Sequence, residues 1–112
     1  DNDYTTLRLP VTTDYAEDVE EGWSTYNYMY ATVTNNTDEP LYDVEVVLVL
    51  LDADGNILYM SDADMYSDKA IMPGSSIQIK EYVDSDFIDW YETEGIQPAS
   101  VDAIAFVNVE QD

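Results

Sequence analysis

Histidine and cysteine are both missing from this chain, and only Arg8, Lys69 and Lys80 carry positive charge. Without cysteine there is no disulfide, no thiolate nucleophile and no thiolate metal site. Without histidine, the commonest general base and the commonest transition-metal ligand are gone, and no serine has the partner that would activate it. Glycine is scarce as well. The four, at positions 22, 55, 74 and 95, stand apart, so no glycine-rich loop can cradle a phosphate. Apolar runs are short: the longest, Val46 to Leu51, has six residues. A bilayer-spanning helix needs roughly 20, so no membrane insertion is expected.

What the chain has in excess is acid. Its 25 acidic residues against three basic ones give a formal charge of −22. Such a surface repels phosphate backbones and anionic headgroups, which excludes nucleic acid as a partner, and it favours cations and basic partners. It also costs stability through self-repulsion, which salt screens. At 112 residues and 46 % hydrophobic content, the chain reads as one folded domain over residues 1–112. It begins at Asp1 rather than at methionine, which a removed signal peptide or an excised domain would each explain.

The pattern along the chain is mostly of period two. Residues 1–24 hold one strand-like piece, Leu7 to Val11, placed at a sheet edge by Pro10, which has no backbone donor. The acidic stretch Asp14 to Glu21 then reads as a solvated loop. From Tyr26 to Thr34, Met29, Ala31 and Val33 share one face and Tyr26, Tyr28 and Tyr30 the other. A dense turn cluster, residues 35–40, leads to a second strand over Tyr42 to Leu51, with Val44, Val46, Leu48 and Leu50 facing one way. Asp52 to Asn56 (DADGN) reads as a hairpin turn with Gly55 at positive φ, and Ile57 to Met60 as its return strand. Ser61 to Ala70 reads as loop, Met72 to Ser75 as turn, and Ser76 to Val83 as strand with Ile77 and Ile79 inward. Phe87, Trp90 and Tyr91 at i, i+3, i+4, with Asp84 or Ser85 to cap and Gly95 to stop, predict one short helix near residues 84–94. Val101 to Val109, apolar on both faces, reads as a central strand.

Six or seven strands with closely spaced turns predict an all-β, immunoglobulin-like β-sandwich with that single helix. The run YMYATVTN at 28–35, NTDEPLYDVEVVLVLLDADGNIL at 36–58 and the Pro73-Gly74-Ser75-Ser76 turn resemble the FxLYD-type domains of bacterial secreted proteins and lipoproteins. The likeness spans residues 26–83. The name-giving motif falls on Leu48 to Asp52, where leucines stand at both aromatic positions. It implies an immunoglobulin-like sandwich in an extracellular or cell-envelope setting, and it brings no catalytic residue.

Two constellations could bind something. Asp52, Asp54, Asp62 and Asp64, with Asp68 nearby and Asp84 or Asp86 as further candidates, offer oxygen ligands for Ca2+. As an EF-hand the loop fails, since its sixth and twelfth positions are Ile57 and Ala63, and a plain hairpin turn explains DADGN as well. The second constellation is aromatic. Tyr26, Tyr28 and Tyr30 would form an outer stripe, with Val47, Val49 and Leu51 expected beside it on the same face. Trp90 and Tyr91 of the helix would cover that face or extend it, and a protein, a carbohydrate or a second copy of the chain could dock there. Paired carboxylates carry no catalytic information in so acidic a chain. Asn35-Asn36-Thr37 fits a glycosylation sequon, at a turn the fold needs in any case. The reading is a non-catalytic, extracytoplasmic interaction or spacer domain, with a calcium-stabilised adhesion or carbohydrate-binding module as the alternative.

Thermal melts test the charge argument. Raising sodium chloride from about 10 mM to about 500 mM should raise the midpoint, by about 4 °C for each kcal/mol of repulsion screened. Calcium at the same ionic strength should exceed that gain only if the aspartates hold the ion.

Overall fold

Pro10 divides the stretch Leu7 to Val11, read from the sequence as one edge strand, into two strands. The computed structural model, which describes residues 4–64 and 70–110, places β1 (Tyr4–Leu9) before this proline in one sheet and β2 (Val11–Glu21) after it in another. Both are edge strands, as a residue without a backbone donor requires. The chain continues through β3 (Ser24–Thr34), β4 (Glu45–Asp52), β5 (Ile57–Asp64), β6 (Ser76–Val83), a helix α1 (Ser85–Glu94) and β7 (Pro98–Glu110).

The strands form a four-stranded sheet, β1-β7-β4-β5, and a three-stranded sheet, β2-β3-β6, with every pairing antiparallel. This is an all-β sandwich of seven strands with one short helix, as the strand spacing implied. The four-plus-three division is that of a constant-type immunoglobulin domain. The order of strands within the sheets differs from the ABED/CFG arrangement, because β7 lies between β1 and β4.

Between the sheets the pleat does what the sequence pattern asked of it. Met29, Ala31 and Val33 of β3 meet Val46, Leu48 and Leu50 of β4, with Ala105 of β7, and all are essentially without solvent contact. Central β7 supplies Val101, Ala103 and Val107 to the same core. On edge strand β6, Ile79 packs against the core while Ile77 stays more exposed.

Three further expectations change. The stretch Asp14 to Glu21 is strand, not loop: it pairs with β3 along its length, interrupted by a bulge between Ala16 and Val19. Asp18 makes the bulge at φ 55°, its N–H donating to Asn27 Oδ1. The extra residue turns Val19 out beside Tyr26, so no alternation was visible there. β4 begins at Glu45 rather than Tyr42, because Asp43 at φ 55° breaks the strand. β5 continues through Ser61 to Asp64, which the sequence read as loop.

Asn35 ties the turn cluster together. Its side chain is fully buried, and Nδ2 donates to the carbonyls of Glu39 (2.8 Å) and Ile71 (2.7 Å). Its Oδ1 accepts from the N–H (2.9 Å) and hydroxyl (2.6 Å) of Thr37. Its backbone N–H donates to Ser75 O, and its carbonyl accepts from Gly74 N–H. The nitrogen a glycan would need is thus consumed by the fold, so the sequon at this position serves structure. Replacing Asn35 with alanine removes four hydrogen bonds: it leaves the Thr37 N–H without its partner, and the carbonyls of Ile71 and Glu39 with one donor each, the Leu41 N–H and the Thr37 hydroxyl. The expected cost is about 2–4 kcal/mol, read as a lower urea midpoint at unchanged slope.

Candidate functional site

The helix does not cover the tyrosines. Asp84 caps α1, its side chain accepting from Asp86 N–H, and Gly95 ends it in the left-handed region at φ 71°. From this frame Tyr91 enters the core, where its hydroxyl donates to Leu58 O and burial raises its pKa above the usual tyrosine value. Phe87 stacks edge-on to Tyr59 at 5.3 Å, which fixes the helix against β5. Tyr91, expected at the binding surface, is therefore a core residue. Trp90 is half-exposed, beside a shallow apolar hollow shared with Phe87 and Asp86. Its ring contacts stay on the helix and do not reach the tyrosine stripe.

The stripe lies alone on the outer face of the three-stranded sheet. Cross-strand register sets Ala16 and Val19 of β2 on one side of it, and Lys80 and Tyr82 of β6 on the other. Neighbouring rings touch: Tyr26 and Tyr28 at 5.9 Å, Tyr28 and Tyr30 at 6.0 Å, and Tyr26 and Tyr82 edge-on at 5.7 Å. Val47, Val49 and Leu51 do not join them. β4 belongs to the other sheet, so these residues face outward on the opposite side of the sandwich. Alternation along a strand fixes faces, not which strands become neighbours, and that is where the expectation failed.

A charged clip closes over the middle of the stripe. The Lys80 ammonium sits 4.2 Å from the centroid of Tyr28 and pairs with Glu21, which lies across β3 on the adjacent strand. Tyr28 is thereby left only 8 % exposed on an outer face, while Tyr82 remains 54 % exposed. The bond to Lys80 holds the Glu21 carboxyl below the usual glutamate range, and the nearby Tyr28 hydroxyl acts in the same direction. The same pair raises the Lys80 ammonium, and burial together with Glu21 raises the Tyr28 hydroxyl. This clip had no signal in the sequence, since its members come from three separate strands.

The aspartates do not converge. Asp52 closes the β4–β5 hairpin, accepting from Asp54 N–H (2.9 Å), Asn56 N–H (2.8 Å) and Asn56 Nδ2 (3.0 Å), with Asn56 first among the causes that lower its pKa. Asp54 is at the tip of that hairpin. Asp62 and Asp64 pair with Val47 and Glu45 farther along β5, about 17 Å and about 24 Å from the turn at the usual rise per residue. Asp84 is committed to capping the helix, with Asp86 in its first turn, and Asp68 lies outside the described residues. Among the described residues no three acidic side chains come together to hold a metal.

A cleft of about 390 Å³ also opens between α1 and β2, with Glu17, Asp18 and Glu92 among its walls. The buried Asn27 beneath it already bonds Asp18 N–H and the Tyr15 hydroxyl.

The clip gives a pH prediction with a definite sign. A carboxyl whose pKa is lowered by folding stabilises above its ordinary range and loses that contribution as pH falls through the folded value. The Lys80 contribution is instead lost as pH rises through its raised value. Carbon-detected NMR should show Glu21 titrating below the ordinary glutamate range, and Lys80→Gln should return it to that range. No protein-family model, curated protein or solved structure shows significant similarity to the chain.

Proposed function

We propose that this chain is a non-catalytic interaction domain of an extracytoplasmic protein, and that the tyrosine face of β2-β3-β6 carries its contact with a partner. The observation behind this is the aromatic face itself, on which Tyr82 is 54 % exposed and Tyr26 and Tyr30 are partly so. Four tyrosines meet on one sheet surface, and the helix that might have covered them packs elsewhere. Tyrosine suits such a surface because each ring offers a broad apolar contact with a polar tip and loses little rotamer freedom. The extracellular or cell-envelope setting rests on the likeness to FxLYD-type domains.

The geometry favours interaction over spacing. Tyr4 pairs with Glu110, so the chain enters and leaves the sandwich at adjacent points. A body 53 Å long therefore adds little to the reach of any chain it belongs to. A protein segment also fits the face better than a sugar. Successive rings along β3 are tilted by 55° and 42°, which leaves ridges rather than the flat platform that stacks on a pyranose. Pairing two copies through this face would bring two charges of −22 together.

The test uses peptide and glycan arrays with the wild type, a Tyr26→Ser/Tyr82→Ser variant and a Trp90→Ser control, each checked for folding by circular dichroism. Peptide binding should fall at least about tenfold in the double variant and stay unchanged in the control. Undiminished binding by the double variant would remove the tyrosine face from consideration.

A further inference from the structure

Lys80 spans β3 to reach Glu21, and on the way its ammonium lies over the Tyr28 ring. The ammonium thus meets an aromatic face and a carboxylate. These are the elements that recognise an organic cation: a ring quadrupole below and a counter-charge beside it. Tyr26 and Tyr82 continue the aromatic surface from that point, and Asp14 stands opposite Tyr30 on β2 as a second carboxylate along the rim. The whole chain, at −22, draws basic molecules toward it from a distance.

We infer that the Tyr28–Glu21 cradle is a binding site for an arginine or lysine side chain of a basic polypeptide segment, and that Lys80 occupies it from within the chain until the partner arrives. The inference rests on the tyrosine face being the contact surface and specifies what the face takes. Arginine is the better occupant. Its guanidinium stacks flat on a ring and meets a carboxylate through two parallel bonds, which a lysine ammonium cannot do. The displaced Lys80 is already half-exposed, so its head moves into water at small cost. Neighbouring basic residues of the segment then lie along Tyr26 and Tyr82.

The experiment measures binding of a capped nona-arginine peptide by calorimetry at about 150 mM salt, where a Debye length of about 8 Å limits diffuse attraction. Removing the internal occupant with Lys80→Gln should tighten binding about fivefold or more. Arg8→Gln, on β1 of the other sheet, changes the net charge equally and should shift affinity by less than about twofold. Glu21→Gln should weaken binding although it frees Lys80, whereas Glu20→Gln, one residue away on the opposite face of β2, should not. The Glu21 and Glu20 pair decides the matter alone if Lys80→Gln fails to fold.

Equal shifts in Lys80→Gln and Arg8→Gln would reduce the effect to net charge and overturn the inference. Weaker binding by Lys80→Gln, or no binding of the peptide to the wild type, would overturn it too. In either case the tyrosine face survives as a contact surface if a neutral peptide or a glycan binds and is lost in Tyr26→Ser/Tyr82→Ser. If that variant loses nothing, both readings fall together.

Discussion

Met29, Ala31 and Val33 must all point into the sandwich, and the pleat of β3 then has no choice but to set Tyr26, Tyr28 and Tyr30 on the other side. This single alternation, in the central strand of the smaller sheet, supports both halves of the structure. Inward, it presents small and flexible side chains against Val46, Leu48 and Leu50, where there is no room to spare. Outward, it lines up rings that a monomer would ordinarily bury. A slip of one residue in register would exchange the two sets and destroy the core, so the outward placement of the tyrosines is enforced by the packing behind them.

The edges of that sheet explain the rest of the face. β2 is held at its far end by a bulge whose geometry depends on Asn27, itself on the inner side of β3. The bulge gives Val19 to the tyrosine side and brings Glu21 to where it can meet Lys80 from β6. Burial behind the sheet and charge in front of it are thus coupled through one irregular residue, Asp18. The acidity elsewhere on the molecule finds no such organisation among the described residues. Asp52 and Asp84 serve turn and cap geometry, and most of the other described carboxylates are exposed.

How much of this was legible in the sequence follows from the range of the forces involved. Helix α1 was readable to within a residue because Asp84 and Gly95 act on their own neighbours. The inner faces of β3 and β4 were readable because alternation is local. Which of Phe87, Trp90 and Tyr91 would be buried was not, since all three lie on one helical stripe and only the position of Leu58 selects Tyr91. The acidic half of β2 was invisible because an edge strand need bury little, and the bulge erased the remaining period. The opposite placement of Val47 and Val49, and the Lys80–Glu21 clip, depend on sheet pairing between distant segments. No local signal carries that.

The pairing of Tyr4 with Glu110 also has a mechanical meaning. Where this sandwich is tethered through both ends, a pulling force does not shear β1 along β7; it peels the two apart from the end, breaking their hydrogen bonds one after another. Shear would load all of them at once and resist far more strongly. Such a domain would yield early under tension, opening from the sheet that carries the chain ends while the β2–β3 hairpin and its tyrosines stood in the other.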